Sequence, residues 1–425
     1  MRAIGLLVVA CLAAASMSTS EAAGENGRKL EPVLAPDPKV MQVLAGLGDN
    51  STAVLENGRI VGEFNALSKQ FRLDTRGPGG RDFSIKMVWA PERGRALFCG
   101  ANHGVPHRMN DAWEHDLASN TWVMLYAPDW NDRHVKDFSN AVVKDGSLQT
   151  KSGGGPVHVA HTWWGLTYDP GLKAMLWMCS WPGGAKSKVE KMGGDVSKLY
   201  KGPPLWAFFP ETRKWKQLMA PPPCPRGGVA GMLEYVPELG GTVWYASRVG
   251  ACWLYDSKAN KWKNLNVKWG ANSRPAGEQV AAWDSVNKLL VTHCGPGKKG
   301  GKRTSHYSPA TNSWELAFSA PREDMNAPRG HDAGTPMYYD PHNQVCIIYS
   351  QAKYSRGGKD NSPTCLWAYS VKTKKWEKLS PKGPAAPKTR KGRLPKLGYF
   401  NPEHNVLVLT RGTTAWLYRY KRRGK

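Results

Sequence analysis

Pairs of aromatic residues recur along this chain at one fixed separation. Four tryptophan pairs stand nine positions apart, and in a fifth pair serine takes the first place: Trp113/Trp122, Trp206/Trp215, Trp253/Trp262, Trp367/Trp376 and Ser305/Trp314. Two positions after the first member, every copy has an aromatic residue or histidine. Alternation in steps of two around a polar turn is typical of a β-hairpin. The spacing therefore predicts one hairpin repeated along the chain.

A second motif accompanies the hairpins and consists of an aromatic residue, a turn and an apolar strand. Its six copies begin at Trp89, Tyr168, Tyr235, Trp283, Tyr339 and Phe400. Proline early in most of the turns fixes φ, and glycine or asparagine later in the turn tolerates positive φ. Each copy therefore predicts two antiparallel strands joined by a tight turn.

Together the two motifs predict about four strands in each repeat, which is typical of a β-propeller. We expect an all-β fold of six four-stranded antiparallel blades, and favour six blades over seven. The last repeat contains Trp416, but the chain ends at Lys425 without the second tryptophan. We expect an N-terminal strand near residues 68–73 to close the ring, with Phe71 in the missing position.

The first 22 residues resemble a signal peptide. Arg2 precedes an apolar run, and Ser20-Glu21-Ala22 forms a cleavage site of small residues. We expect a secreted or periplasmic protein with an N-terminal extension over residues 23–67 and the propeller over residues 68–425. The apolar run is too short to span a bilayer comfortably, and no later segment has the pattern of a transmembrane helix.

The charge balance indicates the kind of partner. The chain has 59 Lys and Arg against 34 Asp and Glu, a formal net charge of +25, which favours anionic partners. Because we expect export, an anionic polysaccharide or an acidic protein is favoured over nucleic acid. The cysteines form no CxxC pair, so a structural zinc site is not expected. We expect a monomer without a cofactor.

The Trp-x-Tyr-x(6)-Trp hairpin and the Tyr-Asp-Pro turn resemble those of kelch-type propellers, which include the central domain of galactose oxidase. The resemblance covers about residues 75–425 and implies the propeller fold. Kelch propellers include oxidases, sugar isomerases and binding scaffolds, so the fold alone does not determine the function. We do not adopt the copper-radical interpretation, because the propeller leaves no room for the further ligand-bearing domain of galactose oxidase.

In this strand order, the loops between blades and the loops joining second to third strands lie on one face. Long basic and aromatic insertions fall there, and such loops commonly carry binding sites. We expect a binding module for an anionic glycan or an acidic protein. The candidates for stacking are Trp163, Trp181 and Trp269, and those for charge are Arg248, Arg329, Lys298, Lys299 and Arg303.

An alternative is a carbohydrate-active enzyme, such as a sugar epimerase or oxidase, with its site at the channel mouth. Its catalytic residues would be His161, His293, His331 and Asp332, acting in proton transfer or, for the histidines, as metal ligands. A histidine or arginine at a repeated position also commonly bonds backbone carbonyls and ties blades together. We lean towards binding rather than catalysis. A third interpretation is a scaffold for another exported protein.

Overall fold

The computed structural model describes residues 34–78, 86–100, 108–131, 137–157, 159, 162, 164–178, 183–200, 202–219, 231–246, 250–275, 279–294, 301–329, 337–351, 364–386 and 397–422. These residues belong to the unit Leu34–Lys425. Within them, no helix is both long and apolar enough to cross a membrane.

All but two of the 28 strands in the described residues lie in six sheets, the blades of a propeller. Blade 1 contains β2 (Arg59–Gly62), β3 (Val88–Ala90), β4 (Arg95–Cys99), β5 (Ala112–Asp116) and β6 (Thr121–Tyr126). Blade 2 contains β9 (Leu166–Asp169), β10 (Ala174–Met178), β11 (Leu205–Phe209) and β12 (Lys214–Gln217). Blade 3 contains β13 (Met232–Val236), β14 (Gly241–Ala246), β15 (Ala251–Asp256) and β16 (Lys261–Asn264).

The other three blades follow the same antiparallel order. Blade 4 contains β17 (Lys268–Trp269), β18 (Gln279–Asp284), β19 (Leu289–Cys294), β20 (Lys302–Ser308) and β21 (Ser313–Ala320). Blade 5 contains β22 (Met337–Asp340), β23 (Val345–Gln351), β24 (Thr364–Ser370) and β25 (Lys375–Leu379). Blade 6 contains β26 (Leu397–Asn401), β27 (Val406–Arg411), β28 (Thr414–Arg419) and β1 (Ser51–Leu55).

Further elements lie outside the four-stranded pattern. The helices are α1 (Pro38–Gly46), α2 (Ala66–Gln70), α3 (Leu73–Arg76) and α4 (Gly183–Lys191), and β7 (Ala141–Lys144) pairs with β8 (Ser147–Thr150). Strands β2 and β17 pair in parallel with the outer strands of blades 1 and 4. Each of these strands therefore covers a blade edge that would otherwise be unpaired.

The first strand of each blade lies innermost, and these inner strands contact one another around the channel. Contacts between β26 and β3 join the last blade to the first. The structure therefore confirms the predicted all-β, six-bladed propeller for the described residues.

The repeated aromatic residues, or histidine in blade 1, face a tryptophan across the outer hairpin of blades 1 to 5. The register pairs His115 with Trp122, Phe208 with Trp215, Tyr255 with Trp262, Tyr307 with Trp314, and Tyr369 with Trp376. The rings also touch, as in Tyr369 and Trp376, whose centroids are 5.0 Å apart. Large aromatic pairs of this kind bury much apolar surface in each of these five blades.

The turns between first and second strands have the predicted geometry. The sixth residue of every copy has positive φ: Gly94, Lys173, Gly240, Lys288, Gln344 and Asn405. Where aspartate follows the turn aromatic, its carboxylate accepts backbone hydrogen bonds, as Asp284 does from Val286 and Asn287 at 3.0 and 2.9 Å. This Asx turn explains why lysine or glutamine can stand at the left-handed position.

The ring closes through an N-terminal strand as predicted, but the segment differs. Strand β1 pairs antiparallel with β28, and Thr52 lies opposite Tyr418 where the other blades have the second tryptophan. The expectation that residues 68–73 form this strand is wrong, because that segment lies across α2 and α3. The Asn65 side chain accepts from the Ser68 amide at 2.9 Å and caps α2, so the local sequence favours a helix. The propeller therefore begins before residue 68.

Candidate functional site

Eight of the twelve residues proposed for binding or catalysis fall outside the described residues. They are Trp163, Trp181, Arg248, Lys298, Lys299, His161, His331 and Asp332. The structure places the other four, His293, Trp269, Arg303 and Arg329, in or beside blades 4 and 5.

The imidazole of His293 is fully buried in β19, and both of its nitrogens have partners. Nε2 lies 3.2 Å from the Pro328 carbonyl oxygen, so it carries the proton, and Nδ1 accepts from the Thr304 hydroxyl at 2.9 Å. The Trp376 indole donates to the same hydroxyl at 2.9 Å. Burial lowers the pKa of His293 to about 3. These contacts make His293 a neutral link between blades 4 and 5, with neither nitrogen free for a metal or for proton transfer.

Arg329 follows the carbonyl that His293 binds. This residue is only 8% exposed, and it makes contacts within the protein. A partner would therefore find little of this guanidinium at the surface.

Trp269 and Arg303 lie close to Arg274, a cation that is not among the binding residues proposed from the sequence. The Arg274 guanidinium lies over the Trp269 indole, 5.2 Å from the ring centroid, and Trp269 also stacks on Trp314 at 5.7 Å and 13°. Arg303 Nη1 donates to the Asn272 carbonyl oxygen at 3.3 Å, two positions before Arg274. We call Trp269, Arg274 and Arg303 the blade-4 rim.

The role of Trp269 in this rim differs from the expected one. Its indole is engaged by Trp314 and by the Arg274 guanidinium, so it supports a cation rather than offering an open face to a sugar ring. Arg274 precedes the inner strand of blade 4, a position it shares with the arginines and histidines of the other blades. That repeated position is the sequence signal that could have identified it.

The two guanidiniums of the rim lack a carboxylate partner among the described residues. The Arg303 Nε atom is buried and has no hydrogen-bond partner there. Tyr245 lies next to Trp269, with ring centroids 5.9 Å apart, and its hydroxyl donates to the Pro275 carbonyl at 2.9 Å. Burial raises the pKa of Tyr245, and the charges of Arg274 and Arg303 oppose that rise. The rim therefore concentrates positive charge that no carboxylate of the described residues neutralises.

A second set of functional groups lies inside the central channel, which the sequence arguments did not single out. Lys86 pairs with Glu234, and the residues are 6% and 7% exposed. The Trp164 indole donates to Glu234 Oε1 at 2.9 Å and to the Ala281 carbonyl at 2.8 Å. Burial lowers the pKa of Lys86 and raises that of Glu234, while their pairing opposes both shifts. Lys86 precedes the first motif copy in a segment without a repeated pattern, so no sequence signal marked it.

The chain matches no protein-family model and no curated protein. The resemblance to kelch-type propellers is thus not confirmed beyond the propeller architecture. Solved structures give the remaining comparisons. TolB from Acinetobacter baumannii is 12% identical with a TM-score of 0.40, and the match covers 70% of this chain and 54% of TolB.

Two further solved structures align over more of the chain. A chain of the mitotic checkpoint complex is 11% identical with a TM-score of 0.44, over 93% of this chain and 98% of that one. An auxiliary nutrient binding protein from Bacteroides thetaiotaomicron VPI-5482 is 8% identical with a TM-score of 0.45, over 81% of this chain and 70% of that protein. At these TM-scores the likenesses carry no argument about function, which has to come from the site itself.

Proposed function

We propose that this protein is a binding propeller whose blade-4 rim recognises sulfate or carboxylate groups of an anionic partner. The observation that carries the proposal is that Arg274 lies over Trp269 and Arg303 binds the carbonyl two positions before Arg274, while neither guanidinium has a carboxylate partner among the described residues. Our proposal also places the binding outside the cytoplasm, because the leader pattern over residues 1–22 predicts export.

The chemistry of the rim suits an anion. A guanidinium presents a planar set of donors that matches carboxylate and sulfate oxygens, often through two parallel hydrogen bonds. The stacked indole holds the Arg274 guanidinium in place, which lowers the entropy lost when an anion binds. The net charge of +25 attracts polyanions over longer distances and makes association dependent on salt.

Binding of the full chain to heparin, polygalacturonate and poly-glutamate tests the proposal and distinguishes a polysaccharide partner from an acidic protein. The test variant is Arg274→Gln/Arg303→Gln. The control, Lys258→Gln/Lys261→Gln, removes the same charge at the hairpin turn of blade 3, where both lysines are exposed. That turn joins third to fourth strands and so lies on the opposite face.

We expect the rim variant to weaken polyanion binding about tenfold or more at low salt, because a hydrogen bond to a charged group contributes about 1.5–3 kcal/mol. The control variant should bind nearly as well as the original protein. Equal losses in the two variants would mean that net charge alone attracts polyanions. Binding that is indifferent to salt would also contradict the proposal.

The contacts of His293 do not favour the enzyme alternative. A histidine that donates to a backbone carbonyl and whose pKa is about 3 is neutral at physiological pH and has no free nitrogen. His161, His331 and Asp332 lie outside the described residues.

A further inference from the structure

The central channel contains a cavity of about 280 Å³ at the end opposite the blade-4 rim. Its mouth includes Ser285, Pro341 and Pro402, which belong to the turns joining first to second strands. The blade-4 rim lies on the other face, with the loops that join second to third strands. The cavity is therefore a separate place from the proposed anion site.

Aromatic side chains form the wall of the cavity. They are the first residues of the repeated turn motif: Trp89, Tyr168, Trp283, Tyr339 and Phe400. Contacts with other blades hold several of them. Trp89 stacks on Tyr399 of blade 6 at 6.2 Å and 16°, and the Tyr168 hydroxyl bonds to Glu92 of blade 1. The wall is therefore preformed by the same repeat that builds the blades.

The polar groups of the cavity come from Lys86 and Glu234. Lys86 Nζ donates to the Leu233 carbonyl oxygen at 3.1 Å and to Glu234 Oε1, which also receives the Trp164 indole hydrogen bond. Among the described residues, Glu234 Oε2 accepts no hydrogen bond and is not a fully enclosed atom. This oxygen remains as an acceptor beside the ammonium group, which has a third N–H to donate.

The charge of this pair restricts the class of ligand. An ammonium and a carboxylate in contact carry no net charge, so the cavity does not attract a simple anion or cation strongly. They do offer an acceptor and a donor side by side, which matches a hydroxyl group or a pair of adjacent hydroxyl groups. Aromatic walls favour the C–H faces of a ring. The cavity volume of about 280 Å³ is near the lower limit for ligand pockets, so the cavity can hold a ligand the size of about one sugar ring.

We propose that the channel cavity binds an uncharged, hydroxylated ligand of monosaccharide size between the aromatic wall and the Lys86–Glu234 pair. The ligand donates a hydroxyl hydrogen to Glu234 Oε2 and accepts from Lys86 Nζ, while its apolar face lies against the rings. This site is independent of polyanion binding at the blade-4 rim.

Saturation-transfer NMR with the full chain tests the proposal. The probes are glucose, galactose, mannose and N-acetylglucosamine, with tetramethylammonium and methyl sulfate as charged comparisons. Ser285→Trp places a large ring at the cavity mouth, and Ser285 is exposed, so the fold should tolerate the substitution. Ser380→Trp is the matched control, since exposed Ser380 follows the outer strand of blade 5, away from the channel.

We expect at least one neutral sugar to bind with a Kd of about 1 mM or tighter, Ser285→Trp to weaken that binding at least tenfold, and Ser380→Trp to leave it unchanged. Absence of sugar binding, or saturation transfer to tetramethylammonium or methyl sulfate alone at this site, would overturn the proposal. Equal binding by the two tryptophan variants would place the sugar elsewhere and also overturn it.

A second variant, Lys86→Met/Glu234→Gln, tests the polar pair. It removes both charges together, so no buried charge loses its partner. We expect sugar binding to fall at least tenfold while heparin binding at the rim persists. Undiminished sugar binding would contradict the assigned role of the pair. Ser285→Trp keeps the proposal testable if the double variant does not fold.

Discussion

The Arg419 guanidinium donates from Nη2 to the Leu44 carbonyl oxygen at 3.1 Å, although 375 positions separate the two residues. Nη1 of the same side chain bonds to the Leu47 carbonyl, and other donors reach His404 and Asn405. Arg419 thus ties the carboxyl end of α1 to β28 and to the turn of blade 6. It binds carbonyls that the end of the helix leaves without intrahelical partners.

Replacing this arginine should weaken the junction between the chain ends. We expect Arg419→Met to lower the free energy of unfolding by about 3 kcal/mol, because several buried carbonyls lose a charged donor. Chemical denaturation followed by tryptophan fluorescence measures the change. Lys375→Met, at an exposed position of blade 5, should change stability by less than about 0.5 kcal/mol. A similar small effect for Arg419→Met would show that water replaces its hydrogen bonds without cost.

Deleting the closing strand should have a larger effect. A chain starting at Glu56 lacks both β1 and α1, so β28 would expose its hydrogen-bonding edge and blade 6 would keep three strands. We expect this chain to lose its cooperative thermal transition, measured by near-ultraviolet circular dichroism. A chain starting at Leu34 retains β1 and should melt as the full chain does. A cooperative melt at an unchanged temperature in the shorter chain would contradict closure of the ring by β1.

Three buried histidines should make stability depend on pH. Burial lowers the pKa of His115 to about 4, of His293 to about 3 and of His306 to about 4. Histidine in the unfolded chain titrates near about 6.5, so below that pH the unfolded state binds more protons than the native state. The contribution of these neutral histidines to the free energy of unfolding is fully present above about pH 6.5. It declines as the pH falls towards 4, by up to about 1.4 kcal/mol per pH unit for each histidine.

Urea denaturation at several pH values between about 7.5 and about 5.5 measures this slope. In His293→Gln, the amide can still donate to the Pro328 carbonyl but does not titrate. We expect a shallower loss of stability with falling pH in this variant, whatever its absolute stability. An identical slope would show that His293 takes up a proton in the folded protein.

Much of the fold follows from short-range patterns. The nine-residue spacing predicts the outer hairpins because each pair of rings must face across a two-stranded ladder, as Tyr255 and Trp262 do. The same pairing recurs in blades 1, 2, 4 and 5. A repeated local pattern therefore identifies the blade before any long-range contact is known.

The closing strand was harder to identify because it lacks the second tryptophan. Its sequence nevertheless keeps another feature of the repeated hairpin, the asparagine of the turn. Asn50 has positive φ, and its side chain accepts from the Tyr418 hydroxyl at 3.0 Å. Asn260 and Asn312 do the same for Tyr255 and Tyr307 at 2.8 and 3.0 Å. In these hairpins an asparagine stands two positions before the residue that lies opposite the tyrosine. Phe71 has no asparagine at that position, so this signal would have excluded it.

The candidate sites were less accessible to sequence reasoning. Trp269 belongs to a two-residue strand that pairs in parallel with β21, and no periodic pattern marks a strand so short. The pairing of Lys86 with Glu234 joins residues 148 positions apart through the ring, and it depends on the exact approach of two blades. Sequence patterns predict which elements form, whereas these side-chain contacts depend on how the elements meet.

The sheet of blade 6 has a consequence for biosynthesis, since it joins β1, the first strand of the described residues, to their last three strands. During translation, β1 emerges early and has no partner until β28 has been made. Five blades can assemble in order behind the ribosome, but the ring remains open until β28 has been made. The nascent protein must therefore keep one strand edge protected from neighbouring chains while all the strands between β1 and β28 are synthesised.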